Sequence, residues 1–284
     1  MEICVLSGKG GTGKTFVSSN LFNVLDNSIY IDCDVEEPNG HIFFEDSSFR
    51  QYPVTKMIPE IDNEKCSACR KCIDFCRFGS LIMIMDQVYF LDEMCHSCGG
   101  CAMVCPENAI KEVPKEIGKI EERSSAGKSV YTGRLNIGEA SGTGIIKELL
   151  KKGSPDRVTV VDCPPGSDCS VIESIQQADF CILVGEPTVF GIHNLDMVAE
   201  LLKIFSKPFG IVSNKVFEEE NMVKNYADKN RIPLLEQFFF DKELGRTNSN
   251  GILITDTIPE YRNRFSQLYE KIRELTEKDR RCAH

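Results

Sequence analysis

Residues 8 to 15 read GKGGTGKT, a glycine-rich run that meets the pattern GxxxxGK[ST]. Gly8, Gly10, Gly11 and Gly13 leave the backbone free to turn its N–H groups, including that of Thr12, toward phosphate oxygens. A helix starting here adds partial positive charge, Lys14 neutralises phosphate, and the Thr15 hydroxyl can ligate Mg²⁺. The chemistry predicted is the holding of a nucleotide polyphosphate with its metal ion.

The second feature with chemistry is sulfur. Of fourteen cysteines, eight stand between Cys66 and Cys105, in the runs CSACRKCIDFC (66 to 76) and CHSCGGCAMVCP (95 to 106). Each run is a CxxCxxCxxxC, in which three thiolates wrap one cubane; in two-cluster ferredoxins the fourth cysteine ligates the other cluster. That pattern implies one 4Fe-4S set of Cys66, Cys69 and Cys72 with Cys105, and a second of Cys95, Cys98 and Cys101 with Cys76. Zinc would use CxxC pairs and leave the intervening cysteines idle. Pro106 follows the second run as a ferredoxin expects, whereas Arg77 follows the first, and a guanidinium there would favour the reduced, more negative cluster. His96, between two ligand positions, reads as a solvated loop histidine or a redox-linked proton site.

Positioning these groups requires strands and helices, and their order is readable. EICVL (2 to 6) is a short apolar strand, and Thr15 to Leu25 an amphipathic helix on the far side of the glycine loop. SIYIDCD (28 to 34), RVTVVDC (157 to 163), DFCILVG (179 to 185), PFGIVSN (208 to 214) and PLLEQFFF (233 to 240) read as further strands, with helical patterns such as Gly191 to Phe205 between them. This alternation predicts an α/β fold with a doubly wound, mainly parallel sheet. Between Pro59 and Pro114 the rhythm stops, so residues 59–114 read as a small inserted α+β domain, and 1–58 with 115–284 as one discontinuous domain. Residues 115 to 145, with a short possible strand at Val130 to Leu135, read as connecting structure.

Charge and composition exclude some partners. Against 43 Asp+Glu stand 33 Lys+Arg, and a net charge of −10 offers no generic nucleic-acid or anionic-membrane surface. No apolar run approaches the ~18 residues of a membrane span, and no basic, apolar leader opens the chain. A cytoplasmic protein is expected, in which reduced cysteines bind metal or stay free. Ile258, Tyr261, Phe265, Leu268, Ile272 and Leu275 alternate at spacings of three and four, a helix whose stripe is best explained by packing on the sheet. Cys4 and Cys181, inside apolar strands, read as buried small side chains.

With its additional Lys9, the loop KGGTGKT resembles the deviant phosphate loop of the MinD, Mrp and nitrogenase iron-protein superfamily of P-loop ATPases. The resemblance continues in order through DCDVEEPN (32 to 39), VVDCPPG (160 to 166), GEPT (185 to 188) and SNK (213 to 215), covering nearly all of the chain outside the insert. It implies ATP and Mg²⁺ as ligands, with Asp32 and Asp162 in the metal shell and Asp34 activating the attacking water. Gly166 would meet the γ phosphate, Asn214 the adenine, and Lys9 the phosphates of a partner subunit in an ATP-dependent homodimer. Cys33, Cys163 and Cys169 flank the two switch segments and read as core or surface thiols; the alternative, by resemblance to the switch-proximal cysteines that bridge the nitrogenase iron-protein dimer, makes Cys169 a cluster ligand, although no upstream mate is evident.

The expected whole is a P-loop NTPase with an inserted bacterial-type two-cluster ferredoxin, in which ATP binding and hydrolysis control electron transfer to a redox partner protein. An iron-sulfur scaffold or carrier of the Mrp type is the alternative. Neither nucleic acid nor a membrane is an expected partner, and a MinD-like positioning protein would need a membrane helix.

Overall fold

The computed structural model describes residues 1–44 and 49–282. Strands are β1 Glu2–Leu6, β2 Ser28–Asp32, β3 Arg50–Ile61, β4 Leu81–Ile84, β5 Gln87–Phe90, β6 Ile110–Ser125, β7 Lys128–Leu135, β8 Val158–Asp162, β9 Phe180–Gly185, β10 Phe209–Val216 and β11 Leu234–Phe239. Helices are α1 Lys14–Val24, α2 Lys71–Phe75, α3 Gly100–Met103, α4 Thr143–Leu150, α5 Cys169–Ser174, α6 Val189–Ile204, α7 Met222–Asn230, α8 Lys242–Ser249, α9 Ile254–Thr257 and α10 Pro259–Cys282.

Period-two alternation in the central strands sends side chains to two cores. Cys4 and Leu6 of β1 face a layer with Ile145, Leu149, Leu195, Val198 and Val223 from α4, α6 and α7. Ile3 and Val5 face the opposite layer, with Val17 and Leu21 of α1 and Phe265, Leu268 and Ile272 of α10. Helices therefore cover both faces, as strands buried on two sides require. The main sheet runs β11-β10-β9-β1-β8-β2-β7-β6-β3. Pairing is parallel from β11 through β7 and antiparallel from β7 to β6 and from β6 to β3.

This corrects the reading of residues 115 to 145 as connecting structure. Most of that stretch is strand: β6 and β7 pair from Gly118 with Leu135 to Ser125 with Lys128. Charged residues broke the apolar pattern, yet they are satisfied locally: buried Glu121 pairs with Arg134 at 2.9 Å and Arg123 at 3.0 Å. The long β3, also unforeseen, pairs with β6 from Arg50 opposite Glu122 to Ile61 opposite Ile110. This two-stranded ladder carries the chain out of the sheet and back. At its tip lie α2, α3, the β4–β5 hairpin and a separate small core of Cys72, Leu81, Val88 and Ile110.

The C-terminal stripe packs as expected, since Phe265, Leu268 and Ile272 are fully buried on the sheet; Ile258 caps α9 and stays exposed. Among the described residues no helix is long and apolar enough to cross a membrane. Cys4, Cys33, Cys163 and Cys181 are buried in the main domain, while Cys169 is exposed at the start of α5.

One lysine closes the helix that follows the glycine loop. Lys128 of β7 donates from Nζ to the carbonyls of Phe22, Asn23 and Leu25 at 3.1, 3.0 and 3.1 Å, satisfying the free C-terminal end of α1. Lys128→Met leaves those carbonyls without their charged donor. It is expected to lower stability by about 2–3 kcal/mol in urea unfolding; a loss below ~0.5 kcal/mol would mean that water replaces the ammonium without cost.

Candidate functional site

The glycine loop joins β1 to α1 with two residues in the left-handed region, Gly11 at φ 78° and Gly13 at φ 96°. Close approach adds a second demand: a Cβ on Gly13 would lie 2.1 Å from Asn214 Nδ2, and one on Gly8 would lie 2.2 Å from the Asn194 carbonyl oxygen. At the first residue of α1, Lys14 is buried, with Nζ 2.7 Å from Asp162 Oδ1 and 3.7 Å from Asp34 Oδ2. Tyr30 donates its hydroxyl to Asp162 Oδ2 at 3.0 Å. Asp32 accepts from the backbone N–H groups of Asp34 at 3.1 Å and Gly40 at 2.9 Å.

Three carboxylates thus surround one ammonium. Burial would lower Lys14, but Asp162 and Asp34 outweigh it and hold the ammonium above its ordinary value. Burial, with Asp162 adding repulsion, pushes Asp32 up to about 7, while Lys14 pulls the other way. Asp34 is also raised, chiefly by burial, with Lys14 opposing. The excess negative charge next to the phosphate loop suits a divalent cation.

Above this base opens a cavity of about 600 Å³, lined by Gly10, Gly11, Gly13, Lys14, Thr15, Asp34 and Asn214. Its far wall comes from the end of β11 and from α8, including Phe239, Phe240, Asp241 and Asn248. Sequence reasoning missed that wall, because no local pattern marks residues that meet the loop only through the fold. Asn214 lines the cavity but donates Nδ2 to the Thr12 carbonyl at 2.8 Å, tying β10 to the phosphate loop. Gly166, at φ 101°, gives its N–H to the Ser7 carbonyl at 2.9 Å. Lys9 pairs with Glu186 at 2.7 Å, and the other oxygen of Glu186 holds Lys215, which donates to the Gly11 carbonyl. Glu186 lies inside the GEPT segment, and an acid at a strand end facing loop lysines was the signal that could have singled it out.

In the outer lobe the cysteines gather in two groups. Cys76, Cys95, Cys98 and Cys101 line a cavity of about 350 Å³ together with Phe75, Arg77, Phe78 and His96. Cys66, Cys69, Cys72 and Cys105 line a second, of about 10 Å³, with Ile61, Val88 and Ile110. The two runs share one backbone signature: Ala68 (φ 54°) and Arg70 (φ 63°) match Ser97 (φ 53°) and Gly99 (φ 70°) position for position. Such left-handed residues turn amides toward sulfur, as where Ser97 N–H donates to Cys95 Sγ at 3.4 Å. Gly100 is required by packing, since a Cβ there would lie 2.0 Å from the Phe75 ring. His96 stacks on Phe78 at 3.8 Å between centroids. Among the described residues no three His, Cys, Asp or Glu side chains converge on a single-ion site.

The raised carboxyl of Asp32 has a consequence for stability. Between its unfolded value of 3.8 and about 7, the folded chain keeps a proton that the unfolded chain releases, so this group's contribution falls as pH rises through that window. Without nucleotide or Mg²⁺, Asp32→Asn is therefore expected to gain about 1–3 kcal/mol relative to wild type between pH 5 and 8, read by urea unfolding. A relative loss over the same interval would show that the charged carboxylate is stabilised by its surroundings.

Comparison with known proteins agrees with this geometry. The family described as "CobQ/CobB/MinD/ParA nucleotide binding domain" matches residues 3–254. The uncharacterized protein MJ0578 of Methanocaldococcus jannaschii is 31% identical over 97% of both chains. An uncharacterized ferredoxin of the same organism, MJ0722, is 46% identical over 54 residues, 18% of this chain and 70% of its own length. Among solved structures, the cell division ATPase MinD of Pyrococcus furiosus superposes with a TM-score of 0.60 at 17% identity, covering 96% of this chain and 98% of its own. MinD of Pyrococcus horikoshii, solved with Mg-ADP, gives 0.59 at 17% identity over 95% of each chain. On the match to residues 3–254 and the ferredoxin likeness, the chain belongs to the CobQ/CobB/MinD/ParA family of P-loop nucleotide-binding domains and carries a ferredoxin-like segment.

Proposed function

We propose that this chain is a Mg²⁺-dependent, cytoplasmic ATPase switch that holds two 4Fe-4S clusters and, as a homodimer formed on ATP, couples its nucleotide state to electron transfer with a redox partner protein. The observation that carries the reading is the coexistence, on one continuous sheet, of a cavity ending on Lys14, Thr15 and Asp34 with two cavities each lined by four cysteines.

Phosphates enter at the backbone N–H groups of Gly10 to Thr15, where the start of α1 and Lys14 meet their charge. Thr15, Asp32 and Asp162 are the residues that would hold Mg²⁺, which when bound would offset the charge of the phosphate oxygens. Asp34 accepts a hydrogen bond from the water that attacks the γ phosphorus, and the bond to the β-phosphate oxygen breaks to leave ADP. Gly166 turns its N–H from the Ser7 carbonyl to the γ phosphate, which makes its loop a nucleotide-dependent switch. Lys9 leaves Glu186 for the phosphates of the second subunit, and Asn214 faces the adenine. The Mg-ADP of the Pyrococcus horikoshii MinD structure supports this ligand class.

Donor chemistry in the lobe fits iron-sulfur clusters: each cavity presents four thiols, with Asp74 and Glu112 also lining one and Glu107 the other, and both runs share the same left-handed turns. Cys66, Cys69, Cys72 and Cys105 would hold one cluster, and Cys76, Cys95, Cys98 and Cys101 the other; when bound, each would supply a one-electron couple. The likeness to a ferredoxin, and to pyruvate synthase subunit PorD of Methanocaldococcus jannaschii at 37% identity over 59 residues, supports electron carriage. Arg77 at the larger cavity favours the reduced state of its cluster. The lobe, residues 59–114, has its own small core and is read as the inserted domain. One observation favours a cluster carrier of the Mrp type instead: Cys69 and Cys98, one from each set, are exposed.

Two measurements test the proposal. Lys14→Ala is expected to weaken ATP binding at least about 100-fold, ~2.7 kcal/mol, whereas Asp34→Ala keeps binding and slows hydrolysis by about 100-fold or more. Normal turnover in Asp34→Ala would remove that residue from the reaction. Anaerobically purified protein is expected to carry about eight iron atoms per chain. Zinc, or about four irons, would reject the ligand sets, and ATP-dependent loss of iron to an apo-ferredoxin would favour the carrier.

A further inference from the structure

Two lysines and two acids join the lobe to the nucleotide-binding body. Lys56 of β3 places Nζ 2.9 Å from Asp92 Oδ1 and 3.1 Å from Glu139 Oε2. Lys115 of β6 pairs with the same two acids, so that charges alternate round a square. Asp92 opens the short 3-10 turn Asp92–Met94, three residues before Cys95. Glu139 lies in the loop between β7 and α4 and is the most enclosed corner, with 8% of its side chain exposed.

The loop that carries Glu139 is fastened at both ends to the residue after Asp34. Leu135, at the end of β7, donates its N–H to the Val35 carbonyl at 2.9 Å. Gly142, just before α4, packs so tightly on Val35 that a Cβ there would lie 2.2 Å from Val35 Cγ2. Val35 is itself buried, and its neighbour Asp34 reaches Lys14 at 3.7 Å. Any displacement of Asp34 would reach segment 135–142 through these Val35 contacts, and that segment presents Glu139 to the lobe. Isolated surface ion pairs contribute little to stability, but a shared four-charge contact fixes register and can hold two arrangements.

We propose that the square formed by Lys56, Asp92, Lys115 and Glu139 is the contact through which nucleotide at Lys14 and Asp34 alters the surroundings of Cys95. This rests on the nucleotide and cluster binding proposed above. Glu139→Gln keeps the shape of the corner and removes its charge; Asp92→Asn does the same from the lobe side.

The test uses the anaerobically purified full chain, with and without Mg²⁺ and a non-hydrolysable ATP analogue. Cluster midpoints are measured by redox titration, and backbone amides by hydrogen exchange. In wild type the analogue is expected to protect residues 8–15, change exchange in residues 92–98 and shift a cluster midpoint. In either variant at least half of the change at 92–98 and of the midpoint shift is lost, while iron content and protection of 8–15 remain. Variants that respond like wild type overturn the proposal, as does a wild-type lobe that ignores nucleotide while residues 8–15 are protected. A change at 92–98 that depends on Glu139 without a midpoint shift keeps this contact and sinks the electron-transfer coupling instead. Absence of iron, or of protection at 8–15, sinks the functional reading itself.

Discussion

A buried ammonium stays charged inside a protein only where anions surround it, and Lys14 is held that way by Asp162 and Asp34, with Asp32 behind them. The rest of the arrangement follows from satisfying that charge. Parallel pairing of β8 with β2 sets Asp162 directly opposite Asp32, so the two segments that would answer to nucleotide meet at their strand ends. β1 lies on the other side of β8 and delivers the glycine loop to the same point. A phosphate entering the loop would compete with Asp162 and Asp34 for the same cation, and that competition is a physical reason for both segments to shift.

The outer lobe is attached by a ladder. β3 and β6 stay in register from the main sheet to the lobe, broken by one irregularity between Val54 and Thr55. Val54, Ile117 and Ile120 pack in a core of the main domain, while Ile61 and Ile110 of the same two strands pack with Cys66, Cys72, Cys101 and Cys105. One pair of strands thus belongs to two cores, and hydrogen bonds along its length set the lobe's direction. A flexible tether would let the lobe sample many orientations at little cost, whereas a continuous antiparallel pair does not. Contacts such as the charge square, which need the lobe in one place, become possible for that reason.

Much of this was legible in residue order. Glycine spacing announced a loop before Lys14, and the loop's positive φ angles at Gly11 and Gly13 are those that spacing anticipates. Short, continuous apolar runs marked β1, β2 and β8 to β11, because strands buried on both faces cannot hide their composition. β6 escaped, and β7 was legible only as a short strand from Val130 to Leu135, since charged residues there are neutralised by partners such as Arg134 for Glu121, which no local window contains. The cavity wall from Phe239 to Asn248 escaped for a similar reason, being joined to the glycine loop only across the sheet.

The sequence by itself determined the chemistry available: a phosphate loop, carboxylates at strand ends, and eight thiols at cluster spacing, all within short windows where covalent geometry limits the possibilities. Tertiary structure decided which of these groups meet. It set Glu186 between Lys9 and Lys215, tied Asn214 to Thr12, brought Cys76 beside Cys95, and closed Lys56, Asp92, Lys115 and Glu139 into one contact. Those partners lie far apart along the chain, and they meet only because strand order and register place them side by side, a property of the whole sheet that no local stretch of residues contains.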